Sequence, residues 1–323
     1  MNNTKNTAAP RDMISLTDFL AGFCVGQKRD NGEDSEKYSL HCEAATVAVF
    51  DGCGGAGAKS YPRFYNKTGA YIAAHRAADA YQEWFEEPAE GEAGDPEALK
   101  RRIVAALEEV DACVGEKSRL SGMISRRFPT TLAAAVCRPG EQGMNVDLYW
   151  AGDSRVYLLD AQGLAQLTED DLGGIDPFEN LTEDGVLTNV ISLSGGFTIH
   201  SARVVMKRPG IVFAATDGCF GYLSTPMEFE HLLLQTLLSA KSVNEWESSL
   251  REAIGEVAGD DYTLRAISLG FGDFRTLQRA LAPRADSLDK QIIRLLPDKS
   301  REEKRLLWQG YRENYCRLLC RVG

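Results

Sequence analysis

Carboxylates recur in this sequence where apolar runs stop. Asp51 closes VAVFD and is followed by Gly52-Cys53-Gly54-Gly55, and Asp217 closes IVFAATD, again before a glycine. Asp153 lies between WAG and SRVY, Asp260 and Asp261 precede YTLRAISL, and Glu33 and Asp34 stand in a polar stretch between two strand-like runs. An apolar strand that runs into a carboxylate is costly unless the acid is solvated, paired or metal-bound. Hard divalent cations take carboxylate, carbonyl and water oxygens, and a two-metal site needs acids from several elements. Taken one at a time, Asp-Gly and Asp-Ser are also ordinary turn dipeptides. Convergence of these acids, rather than any one of them, would make a site.

Two glycine-based alternatives fail on context. Gly52 to Gly57 matches GxGxxG, but Pro62 interrupts the segment after it, and the next element after the helix is another helix. A dinucleotide-binding turn needs a helix at once and a parallel strand after it. Ala58-Lys59-Ser60 lacks both glycines of a phosphate-binding loop.

Periodicity locates the positioning elements. Strands are expected at 19–27, at 37–51 with a break near Glu43 to Ala45, at 130–138, 144–152, 154–160 and 164–168, then at 197–206, 211–217 and 261–271. Helices are expected at 64–85, 97–120, 226–240 and 242–258, and through most of the chain after Phe274, with Pro283 and Pro297 as breaks. The stretch 169–196 reads as a long loop with one helical turn. Strands come in runs rather than alternating with helices, which argues for α+β with antiparallel sheets.

The chain has 323 residues and a formal net charge of -11. Such an acidic body argues against nucleic-acid binding. The segment from Arg275 onward is the exception, with 12 Lys/Arg against 6 Asp/Glu. It reads as an amphipathic helical appendage packed by Ile292, Leu295, Leu306, Trp308, Tyr311 and Leu319, or as a docking surface for an acidic partner through Arg301, Lys304, Arg305 and Arg312. The eight cysteines are scattered without a CxxC pair. Cys316 and Cys320 share an i, i+4 spacing that suits packing better than a zinc site. No apolar run reaches the roughly 20 residues of a membrane span, and no apolar leader precedes the first strand. The expectation is a cytoplasmic protein with reduced thiols, no membrane and no nucleic acid as partners, and an open oligomeric state.

The ordered set RDNGED (29–34), VAVFDGCGG (47–55), PTTLAAAV (129–136), WAGDSRVYLL (150–159), LTEDD (167–171), FAATDGCF (213–220) and GDDYTL (259–264) resembles the metal-dependent, type 2C (PPM) family of Ser/Thr protein phosphatases. The likeness runs in one register over roughly residues 19 to 271. It implies an α+β fold, a four-layer αββα sandwich of two antiparallel sheets flanked by helix pairs. The implied organisation is a flexible leader (1–15), a phosphatase-like catalytic domain (16–273) and a basic helical C-terminal extension (274–323).

The resemblance also implies roles. Two Mn²⁺ or Mg²⁺ ions, often joined by a third, would be held by acids. Asp51 resembles the carboxylate bridging the pair, with Gly52 offering its carbonyl. Asp217 and Asp260 resemble the other core ligands, Glu33 and Asp34 the acids holding metal-bound waters, and Asp153 the ligand of the third ion. Arg29 resembles the arginine that grips the substrate phosphate, a task suited to a planar guanidinium. The implied reaction is hydrolysis of phosphoserine and phosphothreonine in proteins by direct attack of a metal-bridging water, with a phosphoprotein, a cognate Ser/Thr kinase or its target as partners. The alternatives are a phosphatase-like regulatory module with little turnover and a small-molecule phosphoesterase.

Three positions depart from the family pattern. Cys53 stands where many members have a histidine thought to protonate the leaving alkoxide, and a thiol is a poor substitute unless its pKa is lowered. Asp171 replaces the histidine of the LTxDH motif. Gly32 replaces an asparagine. None of His41, His75, His200 and His231 falls in a motif, so structural or surface places are expected for them.

Overall fold

The computed structural model describes residues 17–27, 32–114, 127–173, 176–181, 185–193 and 196–321. Arg29 and the 1–15 leader lie outside the described residues.

Strands β1 (Phe19–Val25), β2 (Ser35–His41) and β3 (Ala44–Phe50) come first. One helical turn, α1 (Gly54–Gly57), and a two-residue ribbon of β4 (Ser60–Tyr61) with β5 (Lys67–Thr68) lead into α2 (Gly69–Glu86) and α3 (Pro96–Val114). Two hairpins are next, β6 (Leu132–Gly140) with β7 (Gly143–Ala151), and β8 (Arg155–Asp160) with β9 (Gly163–Gln166). Then come β10 (His200–Met206), β11 (Gly210–Ala215), α4 (Pro226–Ser239), α5 (Val243–Gly255), β12 (Tyr262–Leu269), α6 (Phe274–Gln291) and α7 (Arg301–Tyr315).

The strands form two antiparallel five-stranded sheets, ordered β1-β12-β11-β8-β9 and β10-β7-β6-β3-β2. Period-2 alternation on strands buried on both faces explains the layering. In β3, Ala45, Val47 and Val49 enter the core between the sheets, while Ala44, Ala48 and Phe50 face α2 and α3. In β11, Val212 and Ala214 point into the same central core, and Ile211, Phe213 and Ala215 pack under α4 to α7. The expected αββα sandwich is therefore the observed architecture.

Several elements differ from the sequence reading, three of them for a clear physical reason. Helix α2 begins at Gly69 rather than Phe64, because Tyr65 and Asn66 take positive φ (54° and 59°) and Thr68 caps the helix by accepting from Tyr71 N. Pro283 does not break α6. The buried stripe Leu277, Leu281, Ala285 and Leu288 holds the helix through the missing N–H. Cys316 and Cys320 do not share a helix. Helix α7 ends at Tyr315, and Cys320 forms a parallel bridge with Thr168.

Candidate metal centre

Register alone carries the acids to one end of the sandwich. Ser35 pairs with Phe50, so Asp34 and Asp51 leave their strands side by side. Ala215 pairs with both Arg155 and Leu264, which sets Asp217 near the Asp153 turn and near Asp260. Val25 pairs with Tyr262, so the segment between β1 and β2 emerges at this end as well.

Short polar bonds fix the array. Asp51 accepts through its backbone carbonyl from Thr131 N (2.8 Å) and Thr130 Oγ1 (2.7 Å). The Thr131 hydroxyl lies 2.7 Å from Ser154 Oγ, which ties the Asp51 strand end to the Asp153 turn. Thr216 Oγ1 donates to Asp34 Oδ2 at 2.9 Å and accepts from Thr263 N at 2.9 Å. Gly52 is required where it stands, since a Cβ there would lie 2.6 Å from Glu33 O and 2.8 Å from Ala70 O.

The electrostatics are those of crowded like charges. Burial drives the Asp51 carboxyl well above its ordinary pKa, and the charges of Asp217, Asp34, Asp153 and Asp260 add to the shift. Asp34 is pushed up to about 8 by burial, an effect that hydrogen bonding partly offsets and the Asp217 and Asp261 charges reinforce. Asp153 rises to about 8 through burial and the charges of Asp217 and Asp170, and its Oδ1 is buried without a hydrogen-bond partner. Asp217 is raised by burial, against the lowering effect of a hydrogen bond with Asp51. Like charges this close disfavour joint ionisation, and a cation among them relieves that repulsion. The donor set is all oxygen, which suits Mg²⁺ or Mn²⁺. The orphaned Asp153 Oδ1 and the mutual repulsion fit such an ion. Among the described residues no three His, Cys, Asp or Glu side chains already stand as a closed ligand set.

Glu33 takes a different place from the rest. Its carboxylate accepts from Thr68 Oγ1 at 2.5 Å and lies where a side chain on Gly54 would have to go. It props the α1 turn against the start of α2. Asp260 is exposed at the rim. Arg29 lies outside the described residues, but the backbone on either side of its segment is held. Asp261 accepts from Gln27 N at 2.6 Å and from Glu33 N at 2.5 Å.

Sequence reading missed several supports. Arg155 is buried and makes a bidentate pair with Asp170 (2.6 to 3.1 Å), its guanidinium 4.2 Å from the Phe220 ring centre. Asp171 accepts from Gly152 N at 2.9 Å and from Asn189 Nδ2 at 2.7 Å, and sits 3.0 Å from His200 Nε2. Asp171 thus braces the turn that carries Asp153. The signal available was the polar LTEDD run itself; the His200 partner, 29 residues away, left none.

A family model, "Protein phosphatase 2C", matches residues 27–255. The chain belongs to the protein phosphatase 2C family. The fold likeness of this PP2C-family chain to solved structures agrees. The serine/threonine phosphatase Stp1 of Staphylococcus aureus superposes with a TM-score of 0.57 at 16% identity, over 81% of this chain and 98% of that one. PppA of Pseudomonas aeruginosa, a regulatory component of the T6SS, gives 0.54 at 19% identity, over 80% and 100%. The catalytic domain of the phosphatase PstP, solved with two manganese ions, gives 0.50 at 20% identity, over 78% and 97%. A search of curated proteins found no match. No described helix of this PP2C-family chain is long and apolar enough to cross a membrane.

Proposed function

We propose that this protein is a metal-dependent phosphatase that hydrolyses phosphoserine and phosphothreonine in a phosphoprotein, the target of a Ser/Thr kinase. The observation that carries the reading is the convergence of Asp34, Asp51, Asp153, Asp217 and Asp260, from five separate segments, into one crowded cluster of acids. Asp51, Asp217, Asp260 and the Gly52 carbonyl would hold two Mn²⁺ or Mg²⁺ ions, Asp34 and Glu33 would steady their waters, and Asp153 would serve a third ion. The ions, when bound, supply a more acidic water and offset charge on the phosphoryl oxygens.

The chain's own residues do the rest. Arg29 grips two phosphate oxygens and aligns phosphorus with the attacking water. Asp34, held by its bond from Thr216, would steady the attacking water beside the ions. As the new P–O bond forms, the bond to the leaving oxygen breaks and that oxygen takes a proton. Cys53 occupies the position from which many relatives deliver it, and its thiol leaves alkoxide departure poorly assisted.

The deciding experiment is hydrolysis of p-nitrophenyl phosphate with Mn²⁺, with Mg²⁺ and with chelator, beside an Asp217→Asn variant. Turnover that needs the metal and is lost in the variant supports the reading. A folded protein with no turnover in any metal points to a phosphatase-like binding module, the second reading, which Cys53 favours.

A further inference from the structure

One aromatic side chain at the mouth of the acidic site is left without a task by the reaction above. Tyr222 lies just past the turn that Asp217 opens, in which Gly221 N donates to the Asp217 carbonyl at 2.6 Å. Its ring is half exposed, at 50%. It is nevertheless fixed on one side, for it rests on the backbone of Gly259. A Cβ on Gly259 would lie 2.8 Å from Tyr222 Cζ and closer still to Cε1, so the glycine makes room for the ring. Gly259 directly precedes Asp260. Burial, then the charges of Asp260, Asp217 and Asp51, raises the pKa of the Tyr222 hydroxyl, which sets the ring in the field of all three acids. A flat ring that is seated on the Gly259 backbone, half exposed and next to a cluster of acids has the form of a subsite wall.

We propose that Tyr222 is a specificity-determining residue: its open side forms the wall against which the group bearing the phosphate lies, favouring substrates whose phosphate is carried by a flat, aromatic group. This rests on the metal-dependent phosphatase reading and adds to its phosphoserine and phosphothreonine substrates a preference for aryl phosphates. Stacking on a half-desolvated ring strengthens binding about three- to tenfold beyond the effect of area burial. An alkyl phosphoester such as phosphothreonine offers no face to stack, so the contribution is absent for it.

The test compares wild type, Tyr222→Phe and Tyr222→Ala at saturating Mn²⁺. The substrates are p-nitrophenyl phosphate and two peptides identical except for phosphotyrosine or phosphothreonine. Tyr222→Phe keeps the wild-type ratio of aryl to alkyl kcat/KM. Tyr222→Ala lowers kcat/KM on both aryl substrates about three- to tenfold, mainly through KM, and leaves the phosphothreonine peptide within about twofold. Half-saturating Mn²⁺, followed by calorimetry, stays unchanged in both variants. A Tyr222→Ala protein with an unchanged aryl to alkyl ratio overturns the inference, as does an equal loss on all substrates together with weakened Mn²⁺ binding. A wild-type enzyme without metal-dependent turnover would overturn the phosphatase reading itself, a result distinct from either.

Discussion

At the scale of single residues, the acids proposed to hold the ions also destabilise the fold that holds them. Asp34 and Asp153 keep their protons up to about pH 8 in the folded state, against the usual carboxylate value near 4. The folded chain therefore binds more protons than the unfolded chain across that window, and stability falls as pH rises through it. In chelator, the thermal midpoint should drop between about pH 5 and pH 8, and Asp34→Asn should flatten that slope. Added Mn²⁺ should raise the midpoint most at the alkaline end, where the acids are free to ionise. Differential scanning fluorimetry across pH reads all three, and a midpoint that climbs with pH in chelator would contradict the charge crowding. Cys53 makes a second prediction. Because a thiol assists an alkoxide poorly, wild type should favour p-nitrophenyl phosphate over a phosphoserine peptide, and Cys53→His should narrow that gap by roughly ten- to a hundredfold in kcat. Equal rates on both substrates in wild type, unchanged by the substitution, would remove Cys53 from the account.

At the scale of elements, most of the scaffold was legible because its strands are buried on both faces and punctuated by glycine-containing turns. The run of strands from β6 to β9 and the antiparallel approach of β11 and β12 are consequences of that pattern, and with them the placing of Asp153, Asp217 and Asp260. The illegible part depends on contacts distant in sequence. The Asp171–His200 pair and the Arg155–Asp170 fork lie across loops whose closure no local pattern announces. Pro283 misled because a local rule was overridden by a buried stripe. Asp261 shows the same limit: the sequence leaves it without a role beside Asp260, and its carboxylate accepts from the backbone at Gln27 and Glu33. Asp261→Ala should therefore release the backbone at Gln27 and Glu33, which flank Arg29 in sequence. We expect KM for p-nitrophenyl phosphate to rise about tenfold, equivalent to the loss of about 1.4 kcal/mol of binding, with Mn²⁺ affinity preserved. Weakened Mn²⁺ binding at unchanged KM would make Asp261 a ligand instead.

At the scale of the whole molecule, the basic C-terminal segment is part of the packed body. Trp308, Tyr311 and Tyr315 of α7 enter the core beneath the β1-β12-β11-β8-β9 sheet. Arg301 and Arg305 pair with Glu179, and Arg312 and the Trp308 indole N–H with Asp176. Glu230 of α4 is fully buried, held by a bidentate bond from Arg284 of α6 and by the Tyr311 hydroxyl of α7. Removing one member of a buried ionic cluster strands the other charge, so Glu230→Ala should cost about 3–5 kcal/mol. Chemical denaturation should show that loss in a single transition. A separate, early transition for the C-terminal helices would mean that they fold apart from the sheets.

The pairing of β1 with β12 has a kinetic consequence. Phe19 sits opposite Ser268, so one of the first strands to be made waits for the last. The other sheet uses only strands between Ser35 and Met206 and can zip up earlier. Long-range pairing of this kind slows folding, because loop-closure entropy is lost before the contacts return it. On the ribosome, Asp34 and Asp51 can meet while Asp217 and Asp260 are still to be synthesised. A nascent chain therefore holds only a fraction of its acids in place, and ion affinity should mature as the last step of folding, making Mn²⁺ uptake a direct clock for completion of the first sheet.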